Sequence, residues 1–548
     1  MLSKWRTMLP VIAILVLAAA LRFWGLRWGL PDALHSYSYH PDEFLTIGAA
    51  GLVLTSFFPR FYNYPSLYLY LTALVIAFAS GYGLAHDTGA LYLCGRVIAA
   101  SMGIGAVVAV YWAGRSLAPD RTGNVAPNTQ AIALVAALIL CISPIHVQHS
   151  HFATVDVPST LFVALCLGFA GRVLSRGSWR DYLLCGVMAG LASGTKYNAA
   201  LVVLSLIAAH FLGCSGRNAG LRRLLGALGC VVGAFIVSTP ASVLRTRDFL
   251  YGLTYEMHHA AQGHGLVFAG TGNGFLFTFT SSLWYGLGPA LAILFVAAAI
   301  YGLLRMDRRA MVLLAFVLPY YALISLSQVR FARYALPMYP AAALLTAWMA
   351  VDLWKRFHKR IRWAWAGLMG VALAGTLLYT IALDRLFVQQ PPQDRAARWV
   401  FANIPKGSRV GTVEVPWFYS PPYSKEIGLG ALPQREQTVT RAPYKLIVSE
   451  TYGYRMPWMY YHAVDWFVMS DYETEDARRL KQEKGLLRAD RALVWWLNAV
   501  VDTVRDYRLR GRFGSDLSAF GIPFGSTQSL PHDMRYPAPT IWIYELRK

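Results

Sequence analysis

Asp42 and Glu43 stand side by side after His40-Pro41, just past the first long apolar segment. Pro41 fixes φ near about −65° and has no N–H, which suits the first turn of a helix, where two carboxylates meet the positive end of the dipole. The plain reading is a helix start. The other reading comes from place, because ionisable groups at or beside membrane depth are costly and mark substrate paths. A second stretch, His149-Ser150-His151-Phe152-Ala153-Thr154-Val155-Asp156-Val157-Pro158, also lies between apolar segments. Asp156 could cap the next helix. His149 and His151, two apart, share a side of an extended chain and could hold a divalent metal with a carboxylate. Hydrogen-bonded or sugar-contacting roles are the alternative, since the spacing is not that of a zinc site.

Three cations suggest a different chemistry. Lys196 sits in the short turn Thr195-Lys196-Tyr197, and Arg330 and Arg333 lie three apart in Gln328-Val329-Arg330-Phe331-Ala332-Arg333-Tyr334. Each could snorkel to lipid headgroups. Together they could hold an anion such as a phosphate. A loop carrying Glu256, His258, His259 and His264, then Gly270, Gly272 and Gly274, could form a lid, an acceptor loop or another metal cluster. Its glycines lack the preceding strand of a nucleotide fingerprint.

The elements that must position these groups are membrane helices. The 548 residues are 56% hydrophobic with mean hydropathy +0.40, too apolar for a soluble globule. The first apolar run, 8–21, lacks a small-residue cleavage site and reads as a retained signal anchor. Apolar segments fall at about 8–25, 66–85, 93–116, 129–145, 157–175, 181–195, 198–214, 221–239, 284–304, 310–328, 333–353 and 363–384. With 66–85 kept juxtamembrane or re-entrant, Lys4/Arg6, Arg115/Arg121, Arg172/Arg176/Arg180, Arg217/Arg222/Arg223, Arg305/Arg308/Arg309 and Lys355/Arg356/Lys359/Arg360/Arg362 all fall on the cytoplasmic side. That arrangement predicts eleven crossings, a cytoplasmic N-terminus, and Asp42, Asp156, Lys196, Arg330 and Arg333 together on the outer face. The net charge of +21 then reads as topology and not as nucleic-acid binding. All six cysteines precede residue 231, in or beside apolar segments, and indicate neither a disulfide framework nor a thiolate metal site.

Composition shifts at Gln389-Gln390-Pro391-Pro392, dividing a membrane domain, 1–388, from an extracytoplasmic domain, 389–548. The latter is predicted to be a small α/β domain with strands Arg409–Val415, Lys445–Ser449, Val464–Ser470 and Thr540–Leu546 and helices Asp394–Asn403 and Glu473–Leu487.

In this order, the Asp-Glu pair, Ala-Thr-Val-Asp-Val-Pro (153–158), Thr195-Lys196 and Arg333-Tyr334-Ala335-Leu336-Pro337 resemble the GT-C glycosyltransferases of family 39 that use polyprenyl-phosphate sugars. That group includes the protein O-mannosyltransferases and the lipid A aminoarabinose transferase. The resemblance spans roughly residues 1–385 and implies a polytopic α-helical fold in a bacterial or archaeal cell membrane. It implies that Asp42 is the catalytic base, Glu43 supports it, Asp156 orients base or acceptor, and Lys196 with Arg330 or Arg333 holds the lipid phosphate. His40, Tyr64, His151, Tyr197, His258 and His264 are the candidates for contacting sugar or acceptor, and His149, His151, Glu256 and His258 for a metal. The expected partners are a polyprenyl-phosphate-linked sugar, membrane lipids and a glycan, lipid or protein acceptor. No cofactor is required, with a divalent metal left open. Asn63-Tyr64-Pro65-Ser66-Leu67-Tyr68 stands where protein mannosyltransferases carry a His-Pro-Pro-Leu-Gly-Lys type stretch, which argues against a protein acceptor. The rival classes are a lipid-linked sugar flippase and an envelope-assembly scaffold. The former should show inverted repeats with matching broken helices, which the sequence lacks, and the latter has no use for external acids.

Overall fold

Apolar surroundings give a backbone no water partner, so the long apolar segments must satisfy their own N–H and C=O groups as helices. A computed structural model describes residues 2–117, 127–213, 216–425, 443–452, 464–483 and 485–547. Arg121 and the side chains of Lys4, Arg6 and Arg217 lie outside the described part. The chain forms α1 (Leu2–Phe23), α2 (Glu43–Ser56), α3 (Leu67–Gly81), α4 (Thr88–Ser116), α5 (Pro127–Cys141), α6 (Pro144–His149), α7 (Asp156–Ser175), α8 (Trp179–Ser193), α9 (Val203–Leu212) and α10 (Gly216–Ser238). After it come α11 (Ala241–Leu244), α12 (Thr246–Gln262), α13 (Gly274–Phe277), α14 (Trp284–Leu287), α15 (Pro289–Arg305), α16 (Arg308–Leu326), α17 (Tyr339–Arg356) and α18 (Lys359–Asp384). Among the described residues, six helical stretches are long and apolar enough to cross a membrane, or seven with one bent pair. Shorter apolar helices accompany them, α2 and α3 included.

Helix starts obey local chemistry. Asp87 accepts from Ala90 N at 2.8 Å at the head of α4, Ser178 from Asp181 N at 3.2 Å at α8, and Asp307 from Arg309 N at 2.9 Å at α16. The segment expected as one helix over 284–304 is instead broken. Gly288, at φ +83°, turns the chain so that the stretch Gly274–Leu287 meets α15 at 119°. α7 and α17 lie deepest, and Ala341 through Leu345 on α17 are essentially without exposed surface. α8 and α10 approach through small residues, as membrane helices do: a Cβ at Gly186 would stand 2.1 Å from the Ala227 carbonyl oxygen and one at Gly190 2.4 Å from that of Val231.

Beyond α18 come α19 (Pro392–Asn403), β1 (Arg409–Thr412), β2 (Lys445–Val448), β3 (Trp466–Ser470), α20 (Asp471–Arg479), α21 (Arg488–Asp502), β4 (Tyr507–Phe513), β5 (Asp516–Ala519), β6 (Ile522–Ser526) and β7 (Ile541–Leu546). The main sheet runs β2-β1-β3-β7-β4, with β1 parallel to both neighbours and β7 antiparallel to β3 and β4. All four expected strands form. The expected helix Glu473–Leu487 does not. A Ser470–Glu473 capping box opens α20 at Asp471, which ends at Arg479, and α21 is separate. β4 escaped the sequence reading because it is an edge strand studded with exposed arginines. The hairpin β5–β6 packs β5 on α18, and Leu517, Ala519, Leu530, Met534 and Ala538 join the apolar core of the membrane helices. The tail therefore returns to the membrane part after the sheet.

The α8–α10 contact predicts that Gly186→Ala overpacks a backbone carbonyl and costs about 1–3 kcal/mol, read as a lowered melting temperature of the detergent-solubilised protein. Gly229→Ala, where a Cβ meets nothing within 4 Å, should leave it unchanged.

Candidate active site

Asp42 ends the loop from α1 and occupies the N-cap position of α2, yet its side chain makes no capping bond. Its Oδ2 accepts from Arg333 Nη2 at 2.8 Å. The helix-start reading thus describes its backbone, while the carboxylate is free for another purpose. Burial raises its pKa above the ordinary carboxylate value, Asp156 and Glu43 add to this, and the Arg333 guanidinium opposes it. Its neighbour has a different fate. Glu43 is fully buried and takes Arg96 in a two-pronged pair, Nε to Oε1 at 2.8 Å and Nη2 to Oε2 at 2.7 Å. Arg96 Nη1 also donates to the carbonyls of Leu26 and Trp28, and Glu43 accepts from Ala153 N at 2.6 Å and from Ser38 Oγ. Glu43 therefore welds the loop, α4 and the approach to α7 together.

Asp156, the first residue of α7, pairs through Oδ1 with Lys196 Nζ, and Arg333 Nε stands 3.9 Å from its Oδ2. Lys196 precedes a 3₁₀ turn, Tyr197–Val202, and its ammonium lies 4.8 Å over the Tyr334 ring. Arg333 lies in a second 3₁₀ turn, Ala332–Met338, and also reaches Tyr536 Oη at 3.1 Å. Two acids and two cations are thus interleaved. Asp156, Lys196 and Arg333 line a cavity of about 320 Å³ with Tyr64, Tyr197 and Glu256, its apolar walls coming from Leu253, Met257, Leu323 and Ile324, and Asp42 adjoins it through Arg333. Such a lining, cations beside aliphatic surface, suits a ligand with an anionic and an apolar part.

The sequence had placed other residues in the site, and several are elsewhere. Arg330 does not line this cavity, its guanidinium being held by Ser327 O, Thr271 Oγ1 and Gly272 O, and the cations at the cavity are Lys196 and Arg333. His40 lies beneath Asp42, accepting from its N–H at 3.2 Å, and is almost entirely buried. His151 is also buried, within 2.9 Å of Trp24 O and 3.0 Å of Val147 O, and stacked on Phe387. Neither lines the cavity. His258 is exposed and bonded to its own helix at Thr254 O. His264 sits edge-on to Phe331 at 5.4 Å. The metal candidates His149, His151, Glu256 and His258 do not converge: His149 faces Asp533 at 3.9 Å, His151 faces Asp384 at 3.4 Å, and Glu256 lines the cavity. Four residues were missed. Arg96 carried a signal, a charge inside the apolar segment 93–116, whose other charge, Arg115, stands at its end. Asp533 and Tyr536 come from the tail, and Tyr334 sits beside a residue already singled out; no local pattern marks them.

Removing one partner of a buried ion pair strands the other. Glu43→Gln should therefore cost about 3–5 kcal/mol of stability, seen as a large drop in melting temperature, whereas Asp42→Asn, partly exposed and leaving Arg333 with Asp156 as a counter-charge, should lower it less.

Comparison with known proteins gives a family model described as dolichyl-phosphate-mannose-protein mannosyltransferase, which matches residues 125–243. No curated sequence matches significantly. The Archaeoglobus fulgidus oligosaccharyltransferase, solved with a tethered acceptor peptide, superposes with a TM-score of 0.52 at 14% identity, covering 96% of this chain and 75% of that one. ArnT from Cupriavidus metallidurans, solved bound to undecaprenyl phosphate, superposes with a TM-score of 0.50 at 12% identity, covering 97% of each chain. The chain thus has the GT-C fold and resembles the GT-C glycosyltransferases, with ArnT matched along almost its whole length.

Proposed function

We propose that the protein transfers a sugar from a polyprenyl-phosphate-linked donor to an acceptor hydroxyl at the outer face of the cell membrane, with inversion. The observation that carries this reading is a cavity lined by Asp156, Lys196 and Arg333 together with apolar side chains, with Asp42 paired to its Arg333. The donor's phosphate meets Lys196 and Arg333 while its chain runs along Leu253, Met257, Leu323 and Ile324. The acceptor oxygen attacks the anomeric carbon opposite the breaking C–O(phosphate) bond, and Asp42 takes the hydroxyl proton.

The ion pairs give this step a charge logic. Arg333 is paired with Asp42 before reaction. As Asp42 gains the proton, that partner becomes neutral and the guanidinium can turn its charge to the leaving phosphate, where a preorganised donor is worth about 3 kcal/mol. Asp156 holds Lys196 in place throughout. A similar fold in an oligosaccharyltransferase leaves sugar and acceptor open, and the exposed glycine-rich loop after α12 is the natural place for acceptor contacts. Resemblance to ArnT, solved with undecaprenyl phosphate, supports a lipid-phosphate donor.

Asp42→Asn keeps shape and removes basicity, so turnover of a polyprenyl-phosphate sugar should fall about 10²-fold or more while donor binding persists. A fully active Asp42→Asn protein overturns the base assignment.

A second test uses pH. Burial in the cavity raises Glu256 from its ordinary value to about 7, with Asp42 and Asp156 adding to the rise and Lys196 and Arg333 opposing it. Because the folded-state value is the higher one, the neutral carboxyl suits the fold, and ionisation costs stability as pH rises between the unfolded value and about 7. Above that pH a new anion faces the phosphate site. Affinity for polyprenyl phosphate should fall by up to about tenfold between pH 6 and pH 8, one unit of pKa coupling, and Glu256→Gln should flatten the profile. A pH-independent wild type would remove Glu256 from the donor site.

A further inference from the structure

Away from the cavity, the loop after α1 meets the start of α19 at Asp32, His35 and Asp394, whose potential ligand atoms all lie within 4.8 Å of one another. His35 Nε2 stands 3.7 Å from Asp32 Oδ1 and 3.9 Å from Asp394 Oδ1, beyond hydrogen-bond length. Its other nitrogen, Nδ1, is 2.5 Å from the Tyr37 carbonyl, which can only accept, so the ring proton sits on Nδ1. The neutral ring then directs the Nε2 lone pair at two carboxylates. The side chain is only 1% exposed, and its Nε2 has no hydrogen bond to either carboxylate. Three electron-pair donors converge with nothing positive between them.

The surroundings match those of a metal ligand set. A ligating histidine typically donates its second N–H to a backbone carbonyl, as His35 does, and ligating carboxylates are themselves hydrogen-bonded. Tyr39 Oη donates to Asp394 Oδ1 at 2.5 Å, and the Tyr39 ring stacks on His35 at 4.1 Å. Asp32 Oδ1 is oriented by Leu34 N at 2.7 Å. Asp32 is half exposed, which leaves an entry path and a side for water. Donors at tetrahedral angles around zinc, with bonds of about 2.0–2.1 Å, sit about 3.3 Å apart, so the two separations from His35 need to close by only about half an ångström and that between the carboxylates by at most about 1.5 Å. An imidazole with two carboxylates favours zinc or a similar transition ion over magnesium or calcium.

We propose that Asp32, His35 and Asp394 bind a divalent transition metal ion, zinc by ligand type, which fastens the loop leading to Asp42 onto the C-terminal domain. The proposal is independent of the reaction assigned to the cavity. Full-length protein in detergent, stripped with a chelator and titrated with ZnCl₂ against a chromogenic indicator, should bind one zinc per chain and melt at a higher temperature with it. His35→Gln and Asp394→Asn should weaken zinc binding at least about 100-fold, the upper end of what loss of a supporting group costs. Asp32→Asn alters a half-exposed side chain and keeps an oxygen to accept from Leu34 N, and should weaken it at least about tenfold. Zinc bound equally by wild type and Asp32→Asn, or wild type that takes up no zinc, overturns the site.

Discussion

Arg333 is the point on which the site depends. A guanidinium taken out of water without partners costs several kcal/mol, and this one is 4% exposed. Its partners come from three distant parts of the chain: Asp42 from the loop after α1, Asp156 from the head of α7, and Tyr536 from the tail. None can be lost without leaving a buried charge short of a counterpart. The same demand sets the composition of the cavity mouth. Two acids and two cations balance each other there, and of the two carboxylates Asp42 is the one whose pKa burial raises above the ordinary value.

Adjacent carboxylates on one helix end cannot face the same way, because neighbouring residues of a helix project in different directions. Asp42 and Glu43 divide accordingly. One turns outward to Arg333, the other inward to Arg96, and the inward one is satisfied so completely that it is part of the scaffold. Arg96 in turn collects the carbonyls of Leu26 and Trp28, which fixes the path of the loop on which Asp42 stands. The exposed acid is held in place by the buried one.

The sequence was most legible where physics acts locally. Helices over the long apolar segments and strands such as Trp466–Ser470 arise from hydropathy and β-branched or aromatic enrichment. Asp42, Asp156, Lys196 and Arg333 stood out as charges in places that disfavour charge, and the fold brings all four together. Arg330 shows the same external charge three residues from Arg333, but it lies outside the 3₁₀ turn that carries Arg333, and Thr271 Oγ1 and loop carbonyls hold it. The histidines were over-read for a similar reason. His40 and His151 satisfy backbone groups in a crowded interior, a role that leaves no mark in sequence. Edge strand β4 hid behind its arginines, and the broken helix at Gly288 behind continuous hydropathy.

The tail escaped notice for a reason that also explains its importance. The 3₁₀ turn Ala332–Met338 begins with N–H groups that have no partner within the turn. Asp533 supplies both acceptors, one oxygen to Ala332 N at 3.0 Å and the other to Arg333 N at 2.8 Å, from 200 residues away. It caps that turn as a local Asp would, from the segment between β6 and β7 that packs on the membrane helices through Met534 and Ala538. The direction in which Arg333 leaves the backbone is therefore set by the C-terminal segment, not by its own neighbours in sequence. The shift in composition at residue 389 therefore does not isolate the site, because Asp533 and Tyr536, from beyond it, hold the backbone and the guanidinium of Arg333 on the near side.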